Sequence, residues 1–279
     1  FTMTGWHAAL QLDYQRNMER TDVVHTHDGP LRVLKSLYPE GPEICHTVLI
    51  HPPGGLVGGD RIDIRLTANP YAHALVTTPG ATRFYRTEKG LASQVLHATI
   101  SQHARLEWLP LETIAYNNCN GLNKVSFDID ANGELIAWDI TALGLPTASL
   151  PFEQGQLQQH MEVKGIWLER GLLDATDRRL MFGPLGLANY RCTATLIFAT
   201  GLDMTRDKRD FALSLARDVV NDQSDEVFAG VTSPHPRLVV LRALSPLVEP
   251  TQNLFRAVWA SWRKGLWGIN NATPRIWAM

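Results

Sequence analysis

The sequence predicts a mainly β protein: a layered or solenoid-like body of short strands followed by a strand–helix C-terminal part. Period-two alternation of apolar and polar residues recurs through the first two-thirds of the chain. Glycine and proline punctuate the gaps between these runs. A helical period first appears near residue 205. An alternating run buries one side of a strand, because successive side chains leave the backbone on opposite faces. Many short strands without intervening helices favour stacked or closed sheets over an α/β arrangement. No fixed-length sequence repeat accompanies them, so a regular repeat protein is not expected.

Taken in order, "ICHTVLI" (44–50) places Ile44, His46, Val48 and Ile50 on one face. "RIDIRL" (61–66) sets Ile62, Ile64 and Leu66 against Arg61, Asp63 and Arg65. Strands are also expected at 72–78, 93–100, 104–109, 157–169 and 192–200. "VSFDID" (125–130) alternates cleanly, and Asn132-Gly133 separates it from "LIAWDI" (135–140). Both turn residues tolerate positive φ, which predicts a hairpin. "TRDKRDFALSLARDVVND" (205–222) carries Phe211, Leu213, Leu215, Val219 and Val220 among charges and predicts a helix. "RLVVLRAL" (237–244) predicts a strand. A second helix is expected over 249–268, with Leu254, Val258, Trp262 and Leu266 at near-heptad spacing and a stop at Gly265 or Gly268. The expected division is a β-rich body over 1–185 and a strand–helix C-terminal part over 186–279 packed on it, the two forming one continuous domain.

Composition bounds the function. A chain of 279 residues, 44% hydrophobic, has the apolar mass for a real core. A net charge of -2 gives no basic field for nucleic acid. The 26 basic residues are mostly arginine, which suits interfaces and carboxylate pairing. Cys45, Cys119 and Cys192 are odd in number and form no CxxC, so a reducing, cytoplasmic setting is expected. Apolar stretches fall well short of the roughly 20 residues of a membrane span.

"HPPGGLVGGD" (51–60) is the densest turn signal. A phosphate loop would need Gly-Lys-Ser/Thr and a following helix, whereas a strand follows here. A tight loop between strands is therefore favoured over an anion site. The ten histidines form neither HExxH nor a zinc spacing, and no GxSxG occurs. His25-Thr26-His27-Asp28 is best taken as a solvated loop before Gly29-Pro30, with a ligand cluster the lesser reading. His51, beside the glycine loop, is a packed residue first and a ligand second. "TPGATRFYRTEKG" (78–90) brings Arg83, Phe84, Tyr85 and Arg86 together after a Pro79-Gly80 turn, favouring a cation–π cluster or a protein interface over phosphate binding. No self-contained catalytic motif emerges.

At "HPPGGLVGGD", "TTPGATRFYR", "LEWLPLETI" and the final "PRIW", together with "GPLRVLKSLYPEG" (29–41), the sequence resembles the urease accessory proteins of the UreD (UreH) family. The resemblance runs from Gly5-Trp6 to Trp277. It implies a right-handed β-helix-like stack of short strands with two α-helices in the C-terminal third. It also implies a non-catalytic urease maturation factor. Such a factor binds the urease apoprotein and recruits a helical accessory protein of the UreF type and a nickel-carrying GTPase of the UreG type. It then helps deliver nickel to the urease active site, through an internal polar passage. The motif residues are His51, Pro53, Gly54, Gly55, Gly58, Gly59 and Asp60, then Thr78, Gly80, Arg83, Tyr85 and Arg86, then Glu107, Trp108, Glu112, Trp138 and Asp139. Of these, His51, Asp60, Glu107, Glu112 and Asp139 are candidate stations for passing nickel. A conduit needs weak sites, so no tight metal site and no tightly bound cofactor are expected.

Departures from the family pattern occur at "LGLPTASLPF" (143–152), where Leu145 stands for an arginine, Ser149 for a glycine and Leu150 for a glutamate. Trp259, Trp262 and Trp267 are candidate partner contacts, with burial against the β body the favoured alternative. The competing functional class is a small-molecule or metal-dependent enzyme with a site around residues 51–60, which requires a pocket of converging polar groups.

Overall fold

The structure is a computed structural model that describes residues 5–222, 226–270 and 272–278. Its strands are His7–Asn17 (β1), Arg20–Asp28 (β2), Arg32–Leu37 (β3), Ile44–Ile50 (β4), Arg61–Ala68 (β5), His73–Thr77 (β6), Thr82–Phe84 (β7), Ala92–Ile100 (β8) and Arg105–Leu109 (β9). Then come Thr113–Ala115 (β10), Cys119–Ile129 (β11), Glu134–Leu145 (β12), Leu150–Pro151 (β13), Gly155–Val163 (β14) and Trp167–Asp174 (β15). The C-terminal part holds the helix Arg178–Phe182 (α1), Cys192–Thr200 (β16), Arg206–Asn221 (α2), Phe228–His235 (β17), Leu238–Ser245 (β18) and Val248–Trp267 (α3).

From β4 to β14 the chain passes back and forth between two sheets, with the short β7 and β10 added beside the second. Sheet A has the order β15-β14-β11-β8-β5-β1-β2, and the long path of sheet B is β17-β18-β16-β12-β9-β6-β4-β3. Parallel ladders run through β1, β5, β8, β11 and β14 on one side, and through β4, β6, β9 and β12 on the other. Each coil therefore contributes one rung to each sheet, and the body is a solenoid-like stack. Sheet B continues from β12 into β16, β18 and β17, so it crosses the expected division at residue 185 without a break.

The corners between sheets repeat. Asn69–Ala72, Ser101–Ala104 and Asp130–Gly133 each close with a backbone bond from the fourth residue to the first, at 3.0, 3.0 and 2.9 Å. The third residue of each, Tyr71, His103 and Asn132, adopts positive φ (66°, 60° and 60°). The Tyr71 and His103 rings stack at 5.0 Å. This corrects the predicted hairpin: β11 pairs with β8 and β14, whereas β12 pairs with β9 and β16. Asn132-Gly133 reverses the chain as expected, but the reversal carries it from one sheet to the other.

Two cores result. Inward residues of both sheets, such as Leu12, Ile64, Leu96, Phe127, Leu135 and Ile197, fill the space between them. The outer face of sheet B carries Ile136, Trp138, Ile140, Leu196, Phe198 and Leu241, and these pack under α2 and α3. Burying an aromatic of this size is worth roughly 4–6 kcal/mol of transfer free energy as an upper bound, which makes Trp138, Trp259 and Trp262 the principal anchors of the second core. Thr205 caps α2 by accepting from the Lys208 amide, and α3 ends at Gly268 with φ +67°, the later of the two expected stops. Gly265 instead lies inside α3 where α2 crosses, and a Cβ there would meet Leu215 at 2.5 Å.

Other expectations need correcting. The strand expected over 157–169 is two antiparallel strands, β14 and β15, broken at Lys164-Gly165. A third, five-residue helix, α1, is capped by Asp177 and is too short to show a period. Residues 25–28 lie on β2, an edge strand that runs past its cover, so His25 and His27 are exposed without being in a loop.

Candidate functional site

Three polar assemblies stand out, and the expected site residues are divided among them. The first is the glycine loop. It is knitted to the second motif by backbone bonds from Leu56 N to Arg83 O (2.7 Å) and from Tyr85 N to Leu56 O (2.8 Å). Asp60 is 2% exposed and accepts from the amides of Trp6 (3.2 Å) and Val57 (2.9 Å), so it fixes the loop. A Cβ on Gly55 would lie 2.2 Å from the Tyr85 ring, and one on Gly58 would lie 1.9 Å from the Lys89 carbonyl. These two glycines are thus required by close approach, while Gly54 and Gly59 take positive φ. Thr78 accepts from the Leu111 amide at 2.9 Å. Pro53 and Arg86 are exposed. Under the loop lies a cavity of about 170 Å³ whose walls include His51, Gly80, Thr82, Arg83, Gln94 and Trp108.

The second assembly runs between the sheets. Strand alternation points Gln94, Asn123 and Gln159 inward, and the parallel registers place them on one rung across β8, β11 and β14. On the facing sheet, Asp139 and Thr141 project toward them. Gln94 donates to Asn123 (3.3 Å), Asn123 to Asp139 (3.0 Å), Thr141 to Asp139 (3.3 Å) and Gln159 to Thr141 (2.7 Å). A second cavity of about 190 Å³ lies beyond, bordered by Asp139, Gln159, Glu169, Thr193 and Thr195. A neck of about 10 Å³, walled in part by Thr82, Gln94, Asn123 and Asp139, shares residues with both cavities. That is about the room a single water needs. Burial pushes the Asp139 carboxyl up to about 6, and the Glu169 charge adds to the effect against the hydrogen bonds from Thr141 and Asn123. Asp139 is half-buried and borders this cavity, which opens past Glu169, Arg170 and Gly171.

The third assembly lies on the opposite face of sheet B, beneath α3. Arg263, fully buried, donates to both Glu40 oxygens at 2.8 and 2.9 Å, and its Nε lies 3.2 Å from Glu107. His46 pairs with Glu40 and His73 with Glu107, each at 2.7 Å, and the Trp259 indole donates to Glu107. Burial raises the Glu107 carboxyl, but His73 and Arg263 outweigh it and hold the group below the usual range. Burial lowers His73, so the imidazole stays neutral beside its carboxylate.

The five expected nickel stations therefore do not form one row. His51 stands at the glycine-loop cavity, Asp60 serves the loop backbone, Asp139 lies in the interior seam, and Glu107 belongs to the ionic cluster on the other side of the sheet. Glu112 accepts from Gln252 of α3 at 3.4 Å. Trp108 faces the inner core, and the Trp138 indole donates to Pro110 O at 2.6 Å. Trp259, Trp262 and Trp267 do not offer indoles to a partner: they are 0%, 0% and 8% exposed, because the apolar stripe of α3 is spent on sheet B. The final "PRIW" docks alongside, its Trp277 donating to Thr77 at 2.8 Å. At the divergent stretch, Ser149 adopts φ +57°, a conformation a glycine would take without strain, and Leu150 is 51% exposed.

Sequence reasoning missed Gln94, Asn123, Gln159, Glu169 and Thr195, and the Glu40–Arg263–His46–His73 set. One signal was present for the first group: Gln94, Asn123 and Gln159 each interrupt the apolar side of an alternating strand. Among the described residues no three His, Cys, Asp or Glu side chains converge as a metal-binding group, and no helix is long and apolar enough to cross a membrane.

The sequence matches the family model for UreD urease accessory protein over residues 7–278. It is 54% identical over 274 residues to "Urease accessory protein UreD" of Paracidovorax citrulli, and equally so to that of Albidiferax ferrireducens. Identity with the Variovorax paradoxus protein of the same name is 51%. Each alignment covers 98% of this chain and 99% of the relative. The glycine loop, the second motif and the terminal tryptophan all fall inside the matched span, and the chain belongs to the UreD family of urease accessory proteins.

Proposed function

We propose that the chain is a non-catalytic scaffold in urease maturation that helps pass nickel, as cargo, toward the urease apoprotein. The observation that carries this is the interior polar seam. An apolar β-stack gains nothing from placing Gln94, Asn123 and Gln159 on one rung opposite a carboxylate, and such groups are costly to bury. Asp139 itself meets only neutral hydrogen-bond donors, while the neighbouring Glu169 is paired with Arg242 at the cavity's outer side, so the Asp139 charge is uncompensated from within the seam. Amide and carboxylate oxygens in this arrangement suit a divalent cation that must bind weakly and move on. On this reading the ion passes the neck as its walls breathe. The urease apoprotein, a helical accessory protein of the UreF type and a nickel-carrying GTPase of the UreG type are the partners the family suggests.

Coexpression with urease subunits and the other accessory proteins tests the reading. Asp139→Asn and Glu169→Gln should leave partner pull-down intact while urease nickel content and activity fall several-fold. Full nickel loading by both variants would overturn the passage. Failure to recover urease or any accessory partner would overturn the scaffold.

A further inference from the structure

We propose that the cavity beneath the glycine loop is a binding site for a small carboxylate-type anion held by the Arg83 guanidinium. Other buried or half-buried guanidiniums have partners: Arg263 has Glu40 and Glu107, Arg105 has Glu134, and Arg32 donates to backbone carbonyls. The Arg83 side chain makes no hydrogen bond or ion pair with any described residue, and its Nε is out of reach of water. His51 Nε2, on the wall of the same cavity, is likewise buried and unpartnered. A buried polar nitrogen without a partner is costly, and the guanidinium N–H, which can only donate, marks a missing acceptor on this cavity, with the His51 nitrogen a second unsatisfied group beside it.

The remaining walls fit an anion. No aspartate or glutamate lines the cavity, so nothing there competes for Arg83. The Thr78 oxygen accepts from the Leu111 amide, which leaves its hydroxyl hydrogen free to donate. Both Asp60 oxygens are taken by backbone amides. The volume of about 170 Å³ is below the usual range for drug-sized ligands and has room for a few heavy atoms. A single guanidinium matches a single negative charge, and its planar fork fits a planar carboxylate or hydrogencarbonate. The site does not depend on nickel using the seam. It does bear on the seam, because Thr82 and Gln94 wall both this cavity and the neck, and an anion here would neutralise the cation beside that neck.

The test is a titration of the purified chain, labelled with ¹⁵N-arginine, with sodium formate and hydrogencarbonate against chloride at constant ionic strength. The Arg83 Nε–H resonance, assigned by its loss in Arg83→Lys, should shift saturably with both carboxylate-type anions and not with chloride. In parallel thermal-shift titrations Arg83→Lys should bind formate at least tenfold more weakly, while Arg86→Gln, at the exposed neighbour, should match the unmodified chain. If the resonance is already shifted in a complex with urease and formate no longer moves it, the carboxylate comes from a partner side chain and the site stands. An Arg83 resonance that responds to chloride as it does to formate, or to neither, would overturn the proposal, and the unmodified chain alone suffices for that measurement.

Discussion

The two faces of sheet B both bury charge and do so in opposite ways. On the outer face, Arg263 sits between Glu40 and Glu107, and each carboxylate also has an imidazole. On the inner face, Asp139 has only amide and hydroxyl donors and lies within the influence of another carboxylate. One face holds its carboxylates below their ordinary range, and the other pushes its carboxyl upward. The lesson is that burial alone does not mark a site. A buried charge whose partners are complete fastens one element to another, here α3 to the stack. A buried anion short of a cation, beside a cavity, has a vacancy for one.

The largest expected effect comes from breaking the complete face. Arg263→Met leaves Glu40 and Glu107 buried without their cation and should cost about 3–5 kcal/mol in urea unfolding. A loss under about 1 kcal/mol would show that α3 is held by its tryptophans alone. The same cluster should also fail with acid. Glu40 and Glu107 lie below their unfolded values, so their stabilisation is fully present above about pH 4.3 and is lost progressively as pH falls below that value through the lower native ones. His73 is depressed as well, so its contribution fades as pH drops below about 6.5. Thermal midpoints should therefore decline from pH 7 toward pH 3.5, and His73→Gln should flatten the upper part of that decline. An unchanged profile would separate the imidazole from the lock.

The incomplete face should respond with the opposite sign. A carboxyl raised to about 6 costs stability as pH rises from its unfolded value near 4, because the native state holds the proton longer. Asp139→Asn removes that cost and should stabilise the chain by roughly 1–2 kcal/mol at pH 7.5, with the gain vanishing by pH 4. Stabilisation together with lost nickel delivery would identify a group kept for function. Destabilisation at pH 7.5 would contradict the uncompensated charge. The smallest effect sets the baseline: Arg206→Ala removes an exposed i,i+4 pair with Asp210 and should change stability by less than about 0.5 kcal/mol.

Much of the fold was legible because period-two alternation is a local property. β4 and β16 begin and end where the alternation does, and the two long helices follow their apolar stripes and caps. β1 is equally periodic, with Ala8, Leu10, Leu12 and Tyr14 inward, and lies outside the strands expected from the sequence. The Asn132-Gly133 turn was legible as a reversal, but which strands it joins was not. Local dihedrals bend the chain in the same way whether the next strand returns beside its predecessor or crosses to another sheet.

The sequence by itself determined the strand periodicity, the turn chemistry of residues 51–60, the helix caps and membership of the UreD family. Each of these depends on near neighbours or on motifs written contiguously. Only the tertiary structure decided that Glu107 and Asp139, both on inner strands of sheet B, serve opposite faces and opposite ends. Their charge states follow from residues such as Arg263 and Glu169, far away in the chain, because electrostatic energy depends on distance and burial in space and not on separation along the backbone.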